Sequence, residues 1–168
     1  TPDAVAHATR WPHTVLGVVT QPTCTTETLN GVPDGGLIGL RPAVGQNSTY
    51  SIMDSIEEGN RQIHVDKTSN TVCLGRSCTD ALPDGESTPF VTIGTQPLVG
   101  FVHNEQYVLI DTGSTQTWKM SDEVCILGNN DINRLSIDYD SKTFKYDVNM
   151  SNIEMGCGPD ARIGNWNR

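Results

Sequence analysis

The chain has 168 residues, enough for one domain with a real core or for two small lobes. Its 20 acidic against 11 basic residues leave a formal charge of −9, a field that repels phosphate backbones and argues against a nucleic-acid partner. No apolar run reaches the roughly 20 residues needed to cross a bilayer, which argues against a membrane span.

The opening TPDAVAHATR lacks the basic-then-apolar layout of a signal peptide, so Thr1 reads as a processed or trimmed start. From there short β-type runs dominate: residues 13–20, 36–40, 61–66, 71–75, 90–94, 98–102, 106–111, 134–140 and 143–148, all rich in β-branched and aromatic residues. Most of the 16 glycines and 9 prolines fall between them, as in VPDGG and ALPDGEST, where they supply turn geometry. The predicted class is all-β. Helix is expected in two places: YSIMDSIEEG, 50–59, with Ile52, Met53 and Ile56 on one side and Gly59 as its stop, and a turn or two in NNDINRLS, 129–136. GLIGL and CILGN look like two copies of one device, an apolar pair followed by glycine, a short helix and another strand. The expected organisation is a first lobe-like segment over 1–80, a second over 81–155 and a tail over 156–168, packed as one unit.

Five cysteines, two of them in Cys73-Leu-Gly-Arg-Ser-Cys78, suit a small disulfide loop in an oxidising compartment, with Cys157 a candidate to tie down the tail. The sequons Asn47-Ser-Thr and Asn149-Met-Ser point the same way, to a secreted or extracellular setting or an acidic vesicular lumen. No metal or other cofactor is expected. The Cys-x4-Cys pair has no second ligand pair downstream, and Asp138, Asp140 and Asp147 do not have EF-hand spacing. Asp140-Ser141-Lys142 reads instead as a hairpin turn.

The chemistry concentrates in YVLIDTGSTQTWKM, 107–120, where a strand of core character ends on Asp111. An unpaired buried carboxylate costs several kcal/mol or takes up a proton, so the neighbours must compensate. Thr112 and Ser114 offer hydroxyls, and Gly113 lets backbone amides approach. A carboxylate held in this way can share a proton with a second acid and polarise a water between them. His7, His13, His64 and His103 show no ligand spacing and read as ordinary surface or strand residues, and Trp11, Trp118 and Trp166 as packing residues. Ser114 lacks the Gly-x-Ser-x-Gly setting of a hydrolase nucleophile and suits support of the acid.

Ile110-Asp111-Thr112-Gly113-Ser114, with Trp118 four residues beyond, resembles the active-site motif of the aspartic proteases, the pepsin-like family and its retropepsin relatives. Asp34-Gly-Gly-Leu-Ile-Gly39-Leu and Cys125-Ile-Leu-Gly128-Asn are similar to the glycine-bearing psi-loops of that family. The segment INRLSIDYDSKTFKYDV resembles its closing hairpin, and together the matches cover most of residues 13–148. The resemblance implies an acid-protease-like lobe built on psi-shaped β loops. It also implies a cleft for a peptide or protein substrate, Asp111 as a catalytic acid, and Thr112, Gly113, Ser114, Gly39 and Gly128 as its supports.

Two departures follow from the same comparison. The family carries two Asp-Thr-Gly loops and this chain one, so the second acid would come from another polypeptide, a companion chain or a homodimer mate. Only 14 residues, Ser114 to Leu127, separate the Asp-Thr-Gly loop from the Ile-Leu-Gly loop, too few for a flap hairpin. The expectation is therefore an aspartic endopeptidase chain completed by a second acid. The alternative is a catalytically inactive relative that binds peptide or serves as a subunit of an extracellular assembly.

Overall fold

A computed structural model describes residues 28–29, 32–33, 38–41, 51–75 and 86–164. The chain divides into two compact units, Thr1–Glu57 and Glu58–Arg168. In the first, β1 (Thr28–Leu29) and β2 (Val32–Pro33) form a short antiparallel pair. Ile52–Ser55 is a single 3-10 turn, capped by the Ser51 hydroxyl, which accepts from the Met53 amide at 3.3 Å. The amphipathic helix expected over 50–59 is thus reduced to one turn. Ile56 is already extended and Gly59 has φ 92°, so the glycine stop lies where the sequence puts it but the helix before it is shorter. Residues 38–40 of GLIGL are irregular, not a strand. The expected strand at 13–20, the sequon at Asn47, Cys24, Cys78, His7, His13, Trp11 and Trp166 lie outside the described residues.

Among its described residues the second unit is β-rich, with one short α-helix and one 3-10 turn. A five-stranded sheet contains β3 (Gln62–Asp66), β4 (Thr71–Leu74), β5 (Thr88–Pro89), β12 (Ile132–Asp138) and β13 (Thr143–Val148), in the antiparallel order β4-β3-β12-β13-β5. Its register places Ile63 opposite Ile137 and Ile137 opposite Phe144, so these three apolar side chains line one face across three strands. All three are buried, as alternation along a half-buried strand requires. The β12–β13 turn is set by Asp138, whose Oδ1 accepts from the amides of Asp140 and Ser141 at 3.1 and 3.2 Å. Lys142 completes it at φ 54°, so the acidic stretch is a hairpin turn. The turn or two expected within 129–136 is one 3-10 turn, Asn129–Asp131; from Ile132 the chain is the strand β12, with Ile132, Leu135 and Ile137 buried and β3 and β13 paired on its two sides.

A four-stranded sheet has the order β10-β11-β9-β8: β8 (Gly100–His103), β9 (Gln106–Ile110), β10 (Trp118–Lys119) and β11 (Val124–Leu127). β8 and β9 form an antiparallel hairpin. β6 (Val91–Ile93) and β7 (Gln96–Leu98) form a separate one, turning through Gly94 at φ 64°. Phe101, on β8, stacks on Tyr146 of β13 at 4.6 Å between ring centroids, and Tyr146 on Phe144 at 5.3 Å, so an aromatic column joins the two larger sheets.

The helix α1 (Met150–Cys157) spans the end of the second expected segment, 81–155, and the start of the tail, 156–168. Asn149 caps it, its side chain accepting from the Asn152 amide. Only Ile153 and Cys157 are buried on it, one face of a single pair of turns, too short a stripe to stand out in the sequence. Cys157 forms a disulfide with Cys125 on β11, so the tail is tied down as expected. Cys73 is also disulfide-bonded.

Candidate active site

β9 and β11 run parallel and side by side, with Leu109 opposite Ile126 and Ile110 opposite Leu127. Both therefore deliver their next residue, Asp111 and Gly128, at the same end of the sheet. The Asp111 amide donates to the Leu127 carbonyl at 3.0 Å and extends the pairing by one step. The connection from β9 to β11 passes through the 111–117 loop and β10, which pairs antiparallel with β11. This fills the span that a flap hairpin would need.

The half-buried Asp111 carboxylate is held by its own loop. Oδ1 accepts from the Gly113 amide at 3.0 Å and Oδ2 from the Ser114 hydroxyl at 2.7 Å. Gly113 has a steric role here as well: a Cβ would stand 3.2 Å from Oδ1. Thr112 and Gly113 are exposed at the tip and Ser114 is half-buried. Each carboxylate oxygen retains a lone pair for a ligand. Among the described residues no second acid is recorded as hydrogen-bonded to Asp111.

Gly128 shows the tightest fit. A Cβ at this position would fall within the backbone of Gln116 and Thr117, so only glycine lets β11 pass beneath the 111–117 loop. The two loops are then stitched together. Asn129 N donates to Ser114 O at 2.6 Å and Asn130 N to Thr115 O at 3.0 Å.

Three supporting residues escaped the sequence reading. The buried Asp131 accepts from Thr117 Oγ1 at 2.5 Å and from Asn152 Nδ2 at 2.8 Å, while Thr117 Oγ1 accepts from Gly128 N at 3.0 Å. This network fixes the Gly128 turn from below. The only signal in the sequence was an acid beside an apolar strand. Its partners stand 14 and 21 positions away and on different elements, so spacing could not identify them.

Gly39 belongs to the other unit, where it is exposed and a side chain would meet open space. Trp118 packs against Gly164, where a Cβ would be 3.2 Å from its ring, a packing role as expected. His64 contacts the Leu135 carbonyl at 3.3 Å, and His103 lies 3.9 Å from Glu154. Asn149 is exposed at its helix cap. Among the described residues no group of three or more His, Cys, Asp or Glu side chains is placed to hold a metal ion, and no helix is long and apolar enough to cross a membrane.

No protein-family model matches the chain, and no curated protein or solved structure matches it.

Proposed function

We propose that this chain carries one half of an aspartic-type endopeptidase site, on a lobe of the acid-protease type, with Asp111 as its catalytic acid. The second carboxylate is supplied by another polypeptide, a companion chain or a second copy. The reading is supported above all by the placement of Asp111. It leaves the end of a strand parallel to one ending in Leu127-Gly128, and its two oxygens are held by the Gly113 amide and the Ser114 hydroxyl. A carboxylate oriented by its own loop and half-exposed at a strand end can share one proton with a facing acid, an arrangement that lets the pair activate water at acidic pH. The water attacks the peptide carbonyl while the protonated partner donates to the carbonyl oxygen. The disulfide between Cys125 and Cys157 suits an oxidising, extracellular or vesicular setting.

The short Ser114–Val124 connection, a loop and a two-residue strand in place of a covering hairpin, favours a second reading, in which the same lobe binds peptide without cleaving it. Cleavage of a fluorogenic peptide library across pH, with a transition-state-mimicking inhibitor and Asp111→Asn in parallel, separates the two. Activity with an acidic optimum, blocked by the inhibitor and reduced about 10²–10⁴-fold in the variant, is the expected outcome. Intact-assembly mass spectrometry identifies the chain that supplies the second acid. Monomeric protein that binds peptides but hydrolyses none would establish the second reading in its place.

A further inference from the structure

A second polar site lies at the opposite end of β9, on the side away from Asp111. The β8–β9 turn, β10 and α1 enclose a groove of about 600 Å³ lined by His103, Asn104, Gln106, Lys119, Asp122 and Glu154, with Ile153, the disulfide at Cys157 and Pro159 as its apolar part. That volume is within the range of small-ligand sites. Its rim is a two-residue turn in which Asn104 and Glu105 both take positive φ, 49° and 62°, with the Asn104 carboxamide 3.4 Å from His103 Nε2.

The unusual feature is the groove's floor. The Lys119 side chain is only 9 % exposed, yet its ammonium has one recorded partner among the described residues, Asp122 at 3.5 Å. Charge-assisted contacts of this kind are shorter, about 2.7–2.9 Å, and an ammonium has three donors to place. Asp122 is itself 86 % exposed and competes with water for the contact. Gln106 is also buried, and its Nε2 reaches the Asp122 carbonyl only at 3.5 Å. A buried cation and a buried carboxamide thus face one groove with donor capacity left over, in a chain whose net charge is −9. A buried charge whose single partner is long and solvent-exposed is incompletely compensated, and an incoming acceptor reduces that cost.

The geometry points to a binding site for the carboxylate of a peptide, its free C-terminus or an acidic side chain, with the carboxylate on Lys119 and the peptide amides on Gln106 and Asn104. His103 and Glu154, 3.9 Å apart, line the groove on the helix side. The inference is independent of the Asp111 reading.

The test is ¹⁵N-labelled chain titrated with an N-acetylated tripeptide bearing a free C-terminus, its C-terminally amidated counterpart, sodium acetate and inorganic phosphate. Saturable shifts at residues 103–106, 119 and 153–159 with the free acid, and at least tenfold weaker binding of the amide, are expected. Lys119→Met keeps the stem and removes the charge, and is expected to weaken binding by tenfold or more with an unchanged circular dichroism spectrum. Asp122→Asn, at an exposed position, removes the competitor and is expected to tighten binding about threefold, while Asp111→Asn leaves it unchanged. Equal binding of acid and amide, preference for phosphate over the peptide, shifts confined to 111–114 and 127–130, or weaker binding in Asp122→Asn would each overturn the assignment.

Discussion

A carboxylate at the end of a core strand loses part of its water and needs donors in exchange. At Asp111 the donors come from two and three residues further along, an amide and a hydroxyl, so the loop is self-contained. Ser114→Ala removes the 2.7 Å hydroxyl bond, a charge-assisted contact worth about 1.5–3 kcal/mol. On the proposed function, kcat falls by on the order of tenfold or more with the fold intact, checked by steady-state kinetics beside a thermal melt. Gly128 obeys a different constraint, close approach of two backbones. Gly128→Ala puts a methyl into the Gln116 carbonyl and is expected to destabilise the protein by about 1–3 kcal/mol, measured by chemical denaturation. Asp111 and its donors were legible because they lie within a few positions of chain, whereas Gly128 entered only through its likeness to a family motif, since the backbone it meets, at Gln116 and Thr117, is distant along the chain. Asp131, Thr117 and Asn152 were not legible, since what joins them is a turn and a helix folded back onto it.

Among the elements, the parallel pair β9–β11 is the decisive one, because it brings Asp111 and Gly128 out of the sheet together. The disulfide from Cys125 to Cys157 ties α1 to the back of that pair across 32 positions. Closing a loop of this length contributes roughly 2–4 kcal/mol in the chain-entropy account. The double variant Cys125→Ala/Cys157→Ala is expected to melt at a clearly lower temperature, and its amides in α1 to lose hydrogen-exchange protection before those of β12. The hairpin at 134–148 was readable from alternation and the Asp-Ser-Lys turn. Alternation marks β12 from Arg134 onward, while its first residues, Ile132 and Asn133, looked like the continuation of a helical turn. The helix over 150–157 was hidden for the opposite reason: one short buried face with glycine at 156 carries almost no periodic signal.

At the scale of the whole molecule, the burial of phenols bears on the response to alkaline pH. Tyr139, 9 % exposed and set edge-on to Phe90 with centroids 6.2 Å apart, has its phenol pushed well above the ordinary value near 10 by desolvation of the phenolate. A folded-state value raised above the unfolded one gives a contribution that is complete below about pH 10 and declines as pH rises past it. Denaturant midpoints should therefore hold up to that pH and fall above it, with Tyr139→Phe markedly flattening the alkaline limb. A midpoint independent of pH between about 9 and 12 in the native protein would contradict the burial of this phenol.

The sequence by itself determined the β-rich class, the acid at position 111 with its local donors, and the turns that punctuate the strands. Each of these is a matter of side-chain type over a few consecutive residues. Only the tertiary structure decided that β9 and β11 lie parallel, which two of the five cysteines join at 125 and 157, how Asp131 holds the Gly128 turn, and that Lys119 is buried at the floor of a groove. Those facts depend on segments distant along the chain meeting in space, and no local pattern encodes such a meeting.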